Sequence, residues 1–279
     1  MLSYQHAYHA GNPADVLKHA LWAAVLEALT QKPKPLKVYE THAGRGVYPL
    51  AEAETQRGAE WQHGLGALAL ATLPGPFGDA VRALNPTGVL TTIPGSPAVA
   101  AHLLRSTDHL HLCELHPTER AKLHRWARGQ ANIHCHDDNG WVQIPALVKA
   151  GQRDVVLLDP SFERAEEYPT VTSTVQKILT KNPAAGVVVW LPILGVGKSK
   201  GQHQPVIEGL KVLNVQATYL AQWRWAERFA GFALQGTAMV ALNLPYGLET
   251  TLPPLLQAYA QGLALPRNVQ TYTLLVARK

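Results

Sequence analysis

Cysteine is scarce. Two residues in 279 cannot staple a fold with disulfides, and they fit a reducing compartment. Charge is also sparse, at 16% against 47% hydrophobic residues, which excludes a disordered chain. No apolar run reaches the roughly 18 residues of a membrane span. The richest stretch, Val187 to Val196, is interrupted by Pro192, so no membrane partner is expected. The start of the chain lacks a basic segment followed by an apolar block, so no signal peptide is expected. An excess of one charge sign is nearly absent: 25 Lys+Arg face 20 Asp+Glu, a formal +5. That permits an anionic partner such as nucleic acid without requiring one. The expectation is a soluble cytoplasmic protein with one large domain and an insertion.

The chain opens with Asn12-Pro13, an N-cap followed by proline at the first helical position. Leu17, Leu21, Ala24, Val25, Ala28 and Leu29 then recur at helical spacing, predicting a helix over Ala14 to Thr30. Short β-branched runs follow: Leu36–Glu40, His109–Glu114, Asn132–His136, Asp154–Asp159, Gly186–Leu191, Val212–Leu220, Thr237–Leu242 and Val269–Ala277. Helical patterns separate most of them, which predicts a mostly parallel sheet covered on both faces, with an antiparallel late edge. The first and second runs lie too far apart for a simple βαβ unit of about 30 residues. The stretch 51–94 between them, rich in alanine and leucine, predicts a small inserted helical subdomain.

Three polar turns fall at the carboxyl ends of successive strands, the edge where open α/β sheets bind ligands. The first is Glu40-Thr41-His42-Ala43-Gly44-Arg45-Gly46, whose glycines permit a tight turn and close backbone approach. Pro49 stands where a dinucleotide fingerprint needs its third glycine, which disfavours a pyrophosphate cofactor and suits S-adenosylmethionine. The second is Glu114, a carboxylate able to accept both hydroxyls of a ribose. The third is His136-Asp137-Asp138-Asn139-Gly140, where Asp or Asn can accept the amino group of an adenine ring.

The fourth run leads into Asp159-Pro160-Ser161-Phe162, which resembles the D-P-P-Y motif of methyltransferases acting on exocyclic amino nitrogens. The lone pair of such a nitrogen is delocalised into the ring. A carboxylate accepting one N–H, with a nearby backbone carbonyl accepting the other, draws the nitrogen toward tetrahedral geometry in line with a methyl donor. The aromatic stacks on a flipped-out base. Ser161 and Phe162 replace the motif's second proline and its tyrosine. A similar run, Asn243-Leu244-Pro245-Tyr246, follows a late strand and is set aside on its order in the chain.

The N-terminal run from Ser3 to His19, S-Y-Q-H-A-Y-H-A-G-N-P-A-D-V-L-K-H, adds a more specific signal. With Thr41-His42-Ala43-Gly44, Pro94-Gly95-Ser96-Pro97, Glu114-Leu115-His116-Pro117 and Asp159-Pro160, it closely resembles the RlmJ family of 23S ribosomal RNA adenine-N6 methyltransferases. The resemblance implies a class I S-adenosylmethionine-dependent methyltransferase fold, Rossmann-like, with a mostly parallel seven-stranded sheet. Residues 1–50 and 95–279 would form the methyltransferase domain and residues 51–94 the helical insertion. His19, His42, Ser96 and Glu114 match cofactor-contacting positions, joined by Asp138, Asn139 and Gly140. Asp159 matches a position that is both catalytic and near the cofactor. Tyr4 matches a substrate-contacting aromatic, beside Pro160 and Phe162. The implied partner is 23S ribosomal RNA, presenting a flipped-out adenine from a single strand or loop to a monomeric enzyme.

Arg45, Arg57, Arg120, Lys122, Arg125 and Arg128 are candidates for tracking phosphates. Arg224 and Arg228, interleaved with Trp223, Trp225 and Phe229, form the most RNA-like patch. No metal is expected: His6, His9, Lys18 and His19 lack the tight pairing of zinc ligands, and neighbours on the strand His134-Cys135-His136 point to opposite faces. Rival readings are a DNA adenine-N6 methyltransferase and a catalytically inactive RNA-binding or assembly factor of the same fold.

Overall fold

The computed structural model describes residues 5–197, 199–225 and 234–277. Among them the strands are β1 (Lys37–Glu40), β2 (Val47–Pro49), β3 (Thr92–Pro94), β4 (His109–Cys113), β5 (Ile133–His136), β6 (Asp154–Leu158), β7 (Gly186–Leu194), β8 (Ala217–Arg224), β9 (Leu234–Leu242) and β10 (Gln270–Ala277). The helices are α1 (Pro13–Thr30), α2 (Ala53–Gly58), α3 (Gly75–Leu84), α4 (Ser96–Leu103), α5 (Pro117–Ala127), α6 (Gly140–Leu147), α7 (Glu167–Lys181), α8 (His203–Lys211) and α9 (Leu248–Gly262).

The main sheet runs β10-β8-β9-β7-β6-β1-β4-β5. The five strands from β5 to β7 pair in parallel, and β7, β9, β8 and β10 pair antiparallel. The mostly parallel Rossmann-like sheet with an antiparallel edge is therefore present. It has eight strands, where the resemblance implied seven; the last, β10, is the run Val269–Ala277 read from the sequence and pairs with β8. β2 and β3 form a separate two-stranded pair. β6 is buried at every residue, as befits a strand with helices on both faces.

Helix α1 is capped by the Asn12 side chain, which accepts from the Asp15 amide at 2.9 Å. It is buried all round from Pro13 to Leu26, since α3, α4 and α9 pack against it on the sheet. Burial on every side brings the helix's polar residues Asp15, Lys18 and His19 inside. The stretch 51–94 contains α2, three short 3-10 turns, α3 and, at its end, β3, which pairs with β2 just before the stretch. Its Leu65, Leu73, Phe77 and Val81 join the core beside α1. Helix α9 was not foreseen, because Pro253 and Pro254 lie inside it and read as breakers. β8 starts five residues later than its apolar run suggests, since Val212 caps α8 and is exposed.

Candidate active site

The carboxyl ends of β1, β4 and β6 open into a cavity of about 510 Å³. After β1 the chain turns through Gly44 (φ +64°) and Gly46 (φ +85°), conformations that suit glycine. A Cβ on Gly44 would lie 2.3 Å from the Tyr48 hydroxyl. Glu114, just past β4, ties this turn down. Its Oε2 accepts the Gly44 amide at 2.8 Å and its Oε1 the His116 amide at 2.7 Å. Burial raises the Glu114 pKa, and the two amides oppose that rise.

After β5, Asn139 caps α6 by accepting from the Trp141 amide at 3.0 Å. Gly140 starts the helix so close to β1 that a Cβ would come 2.0 Å from the Thr41 carbonyl oxygen. Asn139 and Gly140 line the cavity, while Asp138 is exposed and is not part of its wall. His42 lines it too, with Nδ1 2.8 Å from Thr41 Oγ1 and its ring edge-on to Trp141 at 4.7 Å. Burial holds His42 down at about 4. His19 on α1, also in the wall, is pulled by burial to about 3, so both imidazoles are neutral.

Asp159 leaves the end of β6 and faces α1. Its Oδ2 accepts from Lys18 Nζ at 2.7 Å, and the same ammonium lies 2.7 Å from Asp15 Oδ1. Among the described residues no hydrogen bond reaches Asp159 Oδ1. Asp15 is further bonded through Oδ2 to His6 Nε2 at 2.8 Å and to the Gly11 amide at 2.8 Å. Burial opposes the ionised form of Asp15, but His6 and Lys18 hold its carboxyl well below the usual range. Burial also penalises the charge on Lys18, and Asp15 and Asp159 more than restore it. Pro160 and Phe162 complete this side of the wall. Phe162 adopts φ +53° and packs against Tyr168 at 4.5 Å and Trp190 at 5.8 Å, leaving it 5% exposed.

The structure thus brings His19, His42, Ser96, Glu114, Asn139, Gly140, Asp159, Pro160 and Phe162 to one cavity. Tyr4 lies outside the described residues, as do Arg228 and Phe229. The ion pair between Lys18 and Asp159 escaped the sequence reading. Its only trace there is the Asp15–Lys18 spacing of one helical turn.

Two sequence expectations are corrected. Arg45 does not track phosphates: it is 1% exposed and its guanidinium grips Glu119 and Glu52. Lys122 is likewise paired with Glu52, at 2.6 Å. The proposed tryptophan patch is not a surface: Trp223 and Trp225 are 0% and 5% exposed, with their indoles bonded to the Tyr272 hydroxyl and the Leu234 carbonyl. Alternation along β8 turns both rings inward and leaves Arg224 outside.

Asn243 lies at the opposite end of the sheet from the cavity. It adopts φ +51°, accepts the Gln216 amide at 3.0 Å and donates to the Pro183 and Ala185 carbonyls at 2.8 and 2.9 Å. It fastens strand ends together, which accounts for the motif-like run without chemistry. Among the described residues, no group of three or more His, Cys, Asp or Glu is placed to hold a metal ion.

A family model described as "Ribosomal RNA large subunit methyltransferase D, RlmJ" matches residues 33–274. A Haemophilus influenzae protein named Ribosomal RNA large subunit methyltransferase J is 30% identical, over 98% of each chain. The Escherichia coli protein of the same name is 31% identical over 89% of each. A crystal structure of protein LPL1258 from Legionella pneumophila superposes with a TM-score of 0.82 at 27% identity. It covers 95% of this chain and 97% of that one.

Proposed function

Because the chain belongs to the RlmJ family of large-subunit ribosomal RNA methyltransferases, we propose that it methylates N6 of an adenine in 23S ribosomal RNA, using S-adenosylmethionine. The observation that carries this reading is the position of Asp159. Its carboxylate stands at the end of β6, in the same cavity wall as the glycine turn, Glu114 and Asn139-Gly140.

The residues present fit the cofactor. Gly44 and Gly140 leave bare backbone where any side chain would collide. Both oxygens of Glu114 keep a lone pair after bonding Gly44 and His116, enough for two ribose hydroxyls. Asn139 offers an amide for an adenine ring. Ser96, His19 and His42 line the remaining wall, where neutral imidazoles do not repel a cationic ligand. When bound, the cofactor supplies an electrophilic methyl group on a cationic sulfur.

The chain's own residues then handle the base. Lys18 fixes Asp159 through Oδ2 and leaves Oδ1 to accept one N6–H of the adenine. The carboxylate offsets positive charge developing on that nitrogen. The backbone after Asp159 accepts the second N–H, and Pro160 and Phe162 form the wall on which a flipped-out base rests, with Tyr4 as a further contact. We read residues 51–94 as an inserted subdomain: Glu60, bonded to Asn12 and His9, extends the cavity rim from it. A monomer acting in the cytoplasm completes the proposal.

The test offers isotopically labelled S-adenosylmethionine with unmodified 23S ribosomal RNA or with duplex DNA. Label in the RNA alone supports the reading; label in DNA alone, or in neither, overturns it.

A further inference from the structure

Behind the cavity wall lies a carboxyl group with no part in the steps above. Glu40, the last residue of β1, is 0% exposed. Its Oε2 accepts from Ser96 Oγ at 2.7 Å, and Ser96 lines the cavity. Its Oε1 makes no full hydrogen bond; the donor nearest in kind is the buried indole nitrogen of Trp22, which acts on this carboxyl without reaching hydrogen-bonding geometry. An ionised carboxylate left half-satisfied in a buried site is costly, and protonation relieves that cost.

The groups acting on Glu40 come from three elements. Asp159, in the loop after β6, disfavours its charge, while Lys18 and the Trp22 indole, both on α1, favour it. Ser96, at the start of α4, favours the charged form by its hydrogen bond. Burial is the largest influence and pushes Glu40 up to about 8, so at neutral pH it holds a proton. Asp15 and Lys18 are committed to each other, and His19 stays neutral. The buried cation among these groups, Lys18, already serves two carboxylates, and Glu40 is a third acid beside them.

We propose that Glu40 is a specificity-determining residue that acts through Ser96, favouring a cationic sulfonium ligand over the neutral thioether left after transfer. The inference rests on the donor reading above and deepens it. Positive charge arriving in the cavity lowers the cost of ionising Glu40, and its proton passes to the bulk buffer. Ser96 then keeps its hydroxyl hydrogen on Glu40 and turns its lone pairs to the cavity as acceptors. Loss of the methyl group removes the charge, Glu40 takes a proton back from the buffer, and the product is held less tightly.

The test is calorimetric titration of the full-length protein with S-adenosylmethionine and with S-adenosylhomocysteine, in buffers of different ionisation enthalpy. The two ligands share the nucleoside, amine and carboxylate, so their difference isolates the methyl group and its charge. At pH 7 the sulfonium ligand should release roughly half a proton or more beyond the thioether, and its relative affinity should rise roughly three- to tenfold from pH 6.5 to 8.5. In Glu40→Gln both differences should vanish while both ligands still bind. If that variant does not fold, the wild-type comparison decides alone. Equal proton counts and a pH-independent affinity ratio in the wild type, or persistence of the differences in Glu40→Gln, would overturn the inference and leave the donor reading standing. Failure of both ligands to bind would overturn the donor reading and the inference with it.

Discussion

Lys18 Nζ lies 2.7 Å from Asp159 Oδ2 and 2.7 Å from Asp15 Oδ1, so one buried ammonium joins α1 to the loop that follows β6. Removing the ammonium takes the cation from two carboxylates: Asp159 loses its hydrogen-bond donor, and the buried Asp15 keeps only His6 and the Gly11 amide. Lys18→Met should therefore lower the unfolding free energy by about 3–5 kcal/mol, the usual cost of breaking a buried pair from one side. Urea denaturation measures this. A change within experimental error would mean that the pair does not hold the two elements together.

Asp159→Asn keeps the size of the side chain but replaces the carboxylate with a neutral amide. Methyl transfer should fall by roughly two to three orders of magnitude, the loss expected when a group stabilising developing charge is removed. Single-turnover rates, with thermal melting as a check on folding, decide the matter. A near-normal rate would move the role to another residue.

Gly140→Ala places a Cβ where it would sit 2.0 Å from the Thr41 carbonyl oxygen. Backbone cannot yield as a side-chain tip does, so α6 must shift away from β1, carrying Asn139 with it. Affinity for S-adenosylmethionine should drop at least tenfold, roughly 1.4 kcal/mol. Unchanged affinity would show that the close approach of the two turns does not shape the binding site.

Acid should destabilise the fold near pH 6. Burial keeps His19 at about 3, His42 at about 4 and His111 at about 3, the last also opposed by His134 and His136. Unfolded, each binds a proton near 6.5, so its stabilising contribution is complete above that pH and is lost as pH falls toward the folded value. Glu40 works in the opposite sense: folded at about 8, it favours the native state less as pH rises from 4.5 to 8. Three groups outweigh one, at about 1.4 kcal/mol per net proton per pH unit. The melting temperature should fall between pH 6.5 and 5; a rise would contradict this balance.

Asn243→Ala supplies a contrast away from the cavity. It removes three hydrogen bonds and leaves a residue with a Cβ at φ +51°. Stability should drop by about 2–3 kcal/mol with kcat/KM for methyl transfer unchanged. A selective loss of activity would return this motif-like run to the catalytic account.

Features that depend on neighbours in sequence were legible in the chain. The cap at Asn12, the glycine turn, the apolar strand ending at Asp159 and the break in rhythm over 51–94 are all local signals. The N-terminal run added His19, and Ser96 came with its own short motif. What escaped depended on contacts across the fold. Lys18 and Asp159 stand 141 positions apart, and no spacing rule joins them. Arg45 looked like a surface cation because its partner Glu119 is 74 positions away, on α5. Trp223 and Trp225 looked like a stacking platform until strand alternation set their faces. Glu40 ended a strand like any acid there; only its burial against Ser96 and Trp22 gives it a distinct character.

The most direct measurement is nucleoside analysis of unmodified 23S ribosomal RNA after incubation with S-adenosylmethionine and either the wild-type protein or Asp159→Asn. The account predicts N6-methyladenosine at a single position with the wild type and essentially none with the variant. Methylation on a ribose or on another base atom, or equal N6-methyladenosine from both proteins, would contradict it.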